Sequence, residues 1–164
     1  MDAILVGLGE KAKSNPVRVE LLADHLDHLE TVARWHEQED GGGLDFWRRQ
    51  LRSECGRERI PLAFVALDGD VPVGHVSLVE RNLPSRLELS PWLAGTIVEP
   101  SRRAEGVGAA LVLQATARAA ALGVATLYLY TERARGFYER LGWRHLWDEQ
   151  HEGEPVSVLA INLP

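Results

Sequence analysis

Beyond Pro16 the apolar residues Val17, Val19 and Leu21 alternate with Arg18 and Glu20, the two-residue period of a half-buried strand. Asp24 stands where a helix N-cap belongs. From Leu26 onward Leu29, Val32 and Ala33 recur at three- and four-residue spacing until Gly41, Gly42 and Gly43 break the helix. A second helix is predicted from Leu44 to about Arg52. Residues 61–80 are two apolar runs joined across Asp68, Gly69 and Asp70, the turn chemistry of a β-hairpin. Residues 90–98 give a fourth strand, closed by Pro100. The helix that follows carries Val107, Leu111, Ala115, Ala119 and Leu122 on one face and stops at Gly123, the position of a C-cap glycine. Residues 125–131 are a fifth strand, and a short helix through residues 134–142 stops at Gly142. Residues 143–149 and 155–163 supply two last strands around a polar turn at Gly153.

The order is strand, two helices, three strands, helix, strand, helix, two strands. A hairpin feeding a strand, helix, strand unit argues a mixed α/β sheet with helices on both faces. No linker, repeat or low-complexity tract divides the chain, so residues 16–164 read as one domain and residues 1–15 as a flexible N-terminal extension. At 164 residues such a domain buries a full core without metals or disulfides. The single cysteine, Cys55, forms no internal bridge and points to a reducing, cytoplasmic compartment. Asp2 stands where a signal peptide would be basic, and the apolar start is too short to span a bilayer, so no membrane partner is expected. A net charge of -6 gives no reason to expect nucleic acid and mildly favours a cationic ligand.

The chemistry concentrates where the fourth strand gives way to a helix, in Arg102, Arg103, Ala104, Glu105, Gly106, Val107, Gly108 and Ala109. The first four amide hydrogens of a helix have no partner inside it and, with the positive end of the helix dipole, suit an anion such as a diphosphate. Gly106 and Gly108 let that anion lie directly on the backbone. Taken alone, two such glycines also read as a tight strand-to-helix turn. A P-loop is excluded, since Lys11 and Lys13 are the only lysines. A dinucleotide fingerprint fits poorly, with Leu111 at the place of its third glycine.

The pattern R-x-x-G-x-G over Arg103–Gly108, followed by "FYERLGW" at residues 137–143, resembles the GNAT superfamily of acyl-CoA-dependent N-acetyltransferases. The resemblance covers nearly all of the chain beyond the leader. It implies a sheet of about seven strands splayed between the fourth and fifth, with acetyl-CoA as co-substrate and no metal. Its diphosphate would be held by Arg103, Ala104, Glu105, Gly106, Val107, Gly108 and Ala109, and its pantetheine and thioester oxygen by the main chain of Ile97 and Val98. Two departures stand out. Ala104 and Glu105 occupy positions where relatives often carry glycine and a basic residue, and "TERARGFY" lacks an asparagine common before this helix.

The reaction so implied sets its own demands. An amine of pKa about 10.4 is less than about 0.1% free base at neutral pH, so a base must take its proton, and the departing thiolate gains from an acid. The resemblance nominates Tyr138 as that acid. Glu88, just before the fourth strand, is the candidate base, set against the plain alternative of a solvated strand end. Glu37, Glu39 and Asp40 are either an acidic rim for a cationic acceptor or a solvated helix end. His25 and His28 share a helix face with no third ligand evident, so a metal is not expected. His75 either faces the acceptor or is a buried structural histidine. Trp92, close to Glu88, is the first of the tryptophans to consider for an acceptor contact, with ordinary packing the favoured reading. The expected activity is direct acetyl transfer from acetyl-CoA to a primary amine of a small molecule or peptide. The alternatives are a non-catalytic acyl-CoA sensor on the same fold and a partner-binding domain with an empty cleft. Homodimers are frequent among such relatives, which leaves a homodimer possible here, and nothing in the sequence fixes an interface.

Overall fold

The structure is a computed structural model describing residues 16–164. The extension predicted for residues 1–15 lies outside the described residues. Strands β1 (Arg18–Leu21), β2 (Leu62–Asp68), β3 (Val71–Val79), β4 (Trp92–Val98), β5 (Thr126–Thr131), β6 (Arg144–His151) and β7 (Glu154–Asn162) form one sheet of order β1-β2-β3-β4-β5-β7-β6. Helices α1 (Leu29–Asp40) and α2 (Leu44–Ser53) precede β2; α3 (Val107–Ala121) and α4 (Arg135–Arg140) flank β5. All neighbouring strands pair antiparallel except β4 and β5, which run parallel.

Strand β2 shows why helices cover both faces. Leu62, Phe64 and Ala66 join a core with Val107, Leu111, Ala115 and Tyr138, from α3 and α4. The alternate residues Ala63, Val65 and Leu67 join a second core with Val32, Trp35 and Leu51, from α1 and α2. A strand buried on both faces reads as a continuous apolar run, as this one does. Helix α3 sits close on β3 because Gly74 leaves room: a Cβ there would stand 2.8 Å from Leu111 Cδ1 and 3.1 Å from the Ile97 carbonyl oxygen. Its C-terminus closes as a Schellman motif, with the Gly123 amide donating to Ala120 O and the Val124 amide to Ala119 O.

Three expectations need correction. Asp24 does not cap the first helix; it lies in a 3₁₀ turn over Leu22–Asp24, its carboxylate taken by Arg57, and a second 3₁₀ turn over Leu26–His28 runs into α1 without a side-chain cap. Leu122 is not on the buried face of α3. It is the C-cap, already turning outward, and is 38% exposed. The fourth strand starts at Trp92, since Ser90 and Pro91 belong to the long β3–β4 loop. That loop is fastened to β6 by one carboxylate: Glu149 accepts from Ser85 Oγ at 2.6 Å, Arg86 Nε at 2.8 Å and Trp147 Nε1 at 2.9 Å. These donors hold its pKa down to about 2. Among the described residues no helix is long and apolar enough to cross a membrane.

Candidate active site

The sheet opens at its centre. Strands β4 and β5 pair only at Trp92 and Tyr128, with the Tyr128 amide donating to Pro91 O, and diverge beyond that point. The divergence coincides with a bulge in β4: Ser77 faces Ala94 and His75 faces Ile97, which leaves Gly95 and Thr96 together opposite Val76. Gly95 takes φ +67°, a backbone angle that other residues resist, and a Cβ on it would touch both His36 and His75.

Helix α3 begins at the mouth of this opening. Gly106 is its N-cap at φ +88° and offers no side chain to the helix amides. The first amide of α3 to find an acceptor is that of Ala110, which donates to Gly106 O. Among the described residues the amides of Ala104, Glu105, Gly106, Val107, Gly108 and Ala109 meet no backbone or side-chain acceptor. They form a run of donors at the positive end of a helix dipole, suited to a diphosphate. Ala104 is held at φ +64°, the left-handed region, which accounts for the glycine that relatives often carry there. Glu105 is turned away from these amides: its carboxylate accepts from Arg102 Nε at 3.2 Å, and Arg102 also holds Asp68 at 2.9 Å. Arg103 donates from Nε to Val98 O at 3.1 Å and from Nη2 to Glu39 at 3.1 Å, so it ties the loop to the end of α1.

Of the two main-chain groups expected on β4, only Val98 faces the opening. The Glu99 amide donates to Val73 O. Since backbone groups alternate along a pleated strand, Ile97 turns its polar groups to β3 and Val98 turns its own toward the gap. Tyr138 comes from the opposite wall, on α4, whose start is held by the Ala134 amide donating to Thr131 Oγ1 at 2.9 Å. Tyr138 is 1% exposed, and its hydroxyl donates to Thr96 Oγ1 at 3.2 Å, at the bulge itself.

On the α1 and α2 face of the same opening lies a cleft of about 310 Å³, walled by Phe46, Trp47, Gln50, Gly95 and Tyr130. A buried polar chain runs along it. Gln50 Nε2 donates to Glu54 at 2.7 Å and Ser77 Oγ donates to Glu54 Oε1 at 2.6 Å. His75 Nε2 meets Ser77 Oγ at 2.9 Å, and His75 Nδ1 meets both Gly95 O at 3.2 Å and His36 Nε2 at 3.0 Å. His36 stacks on Trp47 and lies 4.0 Å from Asp40. Burial governs the titration of every member: it lowers His36 to about 3, lowers His75 well below the ordinary histidine value, and raises Glu54 and Asp40.

Several sequence-predicted residues lie elsewhere. Glu88 sits on the β3–β4 loop, 64% exposed and 4.0 Å from Arg86, outside the set that lines the cleft. The reason is the pair of turns from Leu83 to Leu89, which carry it outward while Glu149 anchors Arg86. Trp92 is wholly buried, its indole nitrogen donating to Leu89 O, and Trp47 takes the cleft wall instead. Of the acidic trio only Asp40 lines the cleft; Glu37 receives the Gly43 amide and Glu39 holds Arg103. His25 and His28 do have a neighbouring carboxylate, since ligand atoms of His25, Asp27 and His28 lie within 4.8 Å of one another. Glu54 was missed because it follows α2 in a charged stretch that reads as solvated. Its only sequence signal is its place three residues after Leu51, whose buried side chain turns that end of the helix inward.

This geometry is that of a known family. The sequence model of the acetyltransferase (GNAT) family matches residues 25–143, more than half of the chain, and the protein belongs to that family of acetyl-CoA-dependent acyltransferases. Among solved structures, an aminoglycoside 6'-N-acetyltransferase complexed with coenzyme A superposes with TM-score 0.71 at 20% identity, over 88% of this chain and 96% of that one. The aminoglycoside 6'-N-acetyltransferase from Enterococcus faecium gives 0.70 at 20% identity over the same shares. The Salmonella typhimurium protein yncA, solved with acetyl-CoA, gives 0.70 at 11% identity over 92% and 95%. At these identities the likeness is one of fold. No curated protein sequence matches the chain.

Proposed function

We propose that the protein transfers an acetyl group directly from acetyl-CoA to a primary amine of a small molecule. The observation that carries this reading is the run of unpartnered amides from Ala104 to Ala109 at the mouth of a splayed sheet, with the Tyr138 hydroxyl and the Val98 main chain on its walls. The diphosphate of acetyl-CoA meets those amides and Arg103. The pantetheine amides pair along β4 at Val98 as an added strand would. The thioester then lies at the Gly95–Thr96 bulge, with Tyr138 beside the sulfur.

The acceptor enters from the cleft walled by Trp47, Phe46 and Tyr130, where Glu54 and Asp40 favour a cation and the aromatic faces add to that preference. The ammonium loses one proton, its nitrogen attacks the thioester carbon, and the C–S bond breaks as Tyr138 protonates the leaving sulfur. The second nitrogen proton leaves as the amide forms and restores the tyrosine, so one proton is released per turnover. Glycosides bearing primary amines, the acceptors named for two of the structural relatives, belong on the test panel.

The test is acetyl-CoA consumption with a panel of polyamines, amino acids, aminoglycosides and peptide N-termini. Turnover with at least one amine supports the reading. Coenzyme A binding with no turnover across the panel favours the alternative of an acyl-CoA sensor.

A further inference from the structure

We propose that Glu54 accepts the proton of the acceptor ammonium and passes it through Ser77, His75 and His36 toward Asp40, a two-histidine relay crossing from the end of α2 through β3 to α1. The proposal rests on the acetyl-transfer reading for its substrate, and on this chain's own geometry for everything else.

The links are short and sealed. Glu54 to Ser77 is 2.6 Å, Ser77 to His75 is 2.9 Å and His75 to His36 is 3.0 Å, and all four residues are buried. The remaining link, His36 Nδ1 to Asp40, is 4.0 Å, so the last transfer requires the Asp40 carboxyl to approach the ring. Glu54, His36, His75 and Asp40 all line the cleft, so the chain runs alongside the acceptor rather than deep in the core.

A hydroxyl and a neutral imidazole each present one hydrogen and one lone pair in line, so the chain has two self-consistent orders. In the first, Glu54 O–H donates to Ser77, Ser77 O–H to His75 Nε2, His75 Nδ1–H to His36 Nε2, and His36 Nδ1–H points to Asp40. In the second, every hydrogen has moved one place along. The change breaks the O–H bond of Glu54, the O–H bond of Ser77 and the Nδ1–H bonds of both histidines. It forms a new O–H on Ser77, Nε2–H bonds on both histidines and an O–H on Asp40. The excess proton has crossed the chain, charge is conserved, and neither imidazole becomes a cation. That last point decides the matter, because both rings are buried where a positive charge is strongly disfavoured.

Gly95 supplies the bias. Its carbonyl lies 3.2 Å from His75 Nδ1 and accepts a hydrogen only in the first order, when Glu54 carries the proton. The bulge that opens the sheet thus also favours proton uptake by Glu54. A Cβ at 95 would stand in ordinary contact with both rings, 3.5 Å from His36 Cε1 and 3.6 Å from His75 Cε1, so it is the φ of +67° that makes another residue there strained. The charged and titratable groups that share a cleft wall with Glu54 are His36 and Asp40 from α1, His75 from β3, Glu80 and Arg81 from the loop after β3, and Tyr130 from β5, with Cys55 next to it in the chain.

The test uses the full chain with acetyl-CoA and an amine that supports turnover. Wild type should show an acidic limb in kcat/KM displaced above the ordinary carboxylate range. Its rates in mixtures of light and heavy water should curve with deuterium fraction, as several protons in flight require. Glu54→Gln should lower kcat by about 10²–10³-fold and abolish the limb, with coenzyme A affinity unchanged. Ser77→Ala keeps the base but cuts the chain, and should make the deuterium dependence linear with a rate loss of about tenfold or more. A Glu54→Gln enzyme that keeps its rate and its limb overturns the proposal while acetyl transfer stands. Wild type inactive with every amine overturns the acetyl-transfer reading itself. One arm needs no turnover: in nitrogen-15 spectra of the free protein both imidazoles should stay neutral and switch together from Nε2–H to Nδ1–H as Glu54 is protonated, and Ser77→Ala should uncouple them. Rings that keep one tautomer throughout the titration contradict the relay.

Discussion

His36 on α1 and His75 on β3 meet Nε2 to Nδ1 at 3.0 Å, 39 residues apart in the chain and both sealed from solvent. Burial depresses both, His36 to about 3, so the folded protein binds fewer protons than the unfolded chain below the ordinary histidine value of 6.5. Stability from His36 is fully present above pH 6.5 and is lost as pH falls toward about 3, and the depressed His75 acts in the same direction. Glu54 and Asp40, raised by burial, act in the opposite sense, favouring the fold at low pH and losing that contribution as pH rises. Chemical denaturation of wild type and His75→Gln at about pH 4 and about pH 7 isolates the ring: the variant's stability should fall less steeply with acid.

Ala104 sits at φ +64° within the candidate diphosphate loop. A left-handed non-glycine residue is strained by about 1–2 kcal/mol, and glycine returns about 0.4–1 kcal/mol of that through the greater freedom of the unfolded chain. Ala104→Gly should therefore stabilise by up to about 1 kcal/mol, raising Tm by about 2–4 °C. A β-branched residue at the same position should lower both Tm and coenzyme A affinity.

Gly74 is the contact through which α3 rests on β3. A methyl group 2.8 Å from Leu111 Cδ1 and 3.1 Å from a backbone oxygen forces the helix outward, so Gly74→Ala should cost about 1–3 kcal/mol in denaturant unfolding. Because the N-terminus of α3 carries the diphosphate donors, coenzyme A affinity should fall with it.

Tyr138 and Thr96 join α4 to the bulge of β4. Tyr138→Phe removes the hydroxyl and little volume. If that hydroxyl protonates the leaving sulfur, kcat should fall by about 10²-fold, with the dissociation constant of acetyl-CoA within about twofold of wild type. Steady-state kinetics beside calorimetric titration separates the two effects.

Glu88 and Glu54 are rival carboxylates with opposite settings, one exposed beside Arg86 and one buried beside Ser77. Glu88→Gln should leave kcat within about twofold, whereas Glu54→Gln should lower it by about 10²–10³-fold. Equal losses in the two variants would contradict the relay.

The fold was legible because its signals are local. The two apolar runs in residues 61–80, the α3 face from Val107 to Ala119 and the stop at Gly123 each follow from local sequence alone. The loop at Arg103–Gly108 was legible for the same reason, since a helix N-terminus with bare backbone is written in consecutive residues. The cleft on the α1 and α2 face was not. Glu54, the β3 pair Ser77 and His75, and His36 come from three separate stretches, brought together by hydrogen bonds beside the bulge at Gly95, which no periodicity announces. Glu88 was favoured for its closeness in sequence to β4, but the turns from Leu83 to Leu89 carry it outward.

The central claim is that the amides from Ala104 to Ala109 grip a diphosphate and so aim the thioester at Tyr138. Amide proton–nitrogen spectra recorded during titration with coenzyme A, and separately with pantetheine, test it directly. The account predicts large shifts across Ala104–Ala109 with coenzyme A and none in that stretch with pantetheine, which lacks the diphosphate. Coenzyme A binding that leaves those six amides unmoved would contradict it.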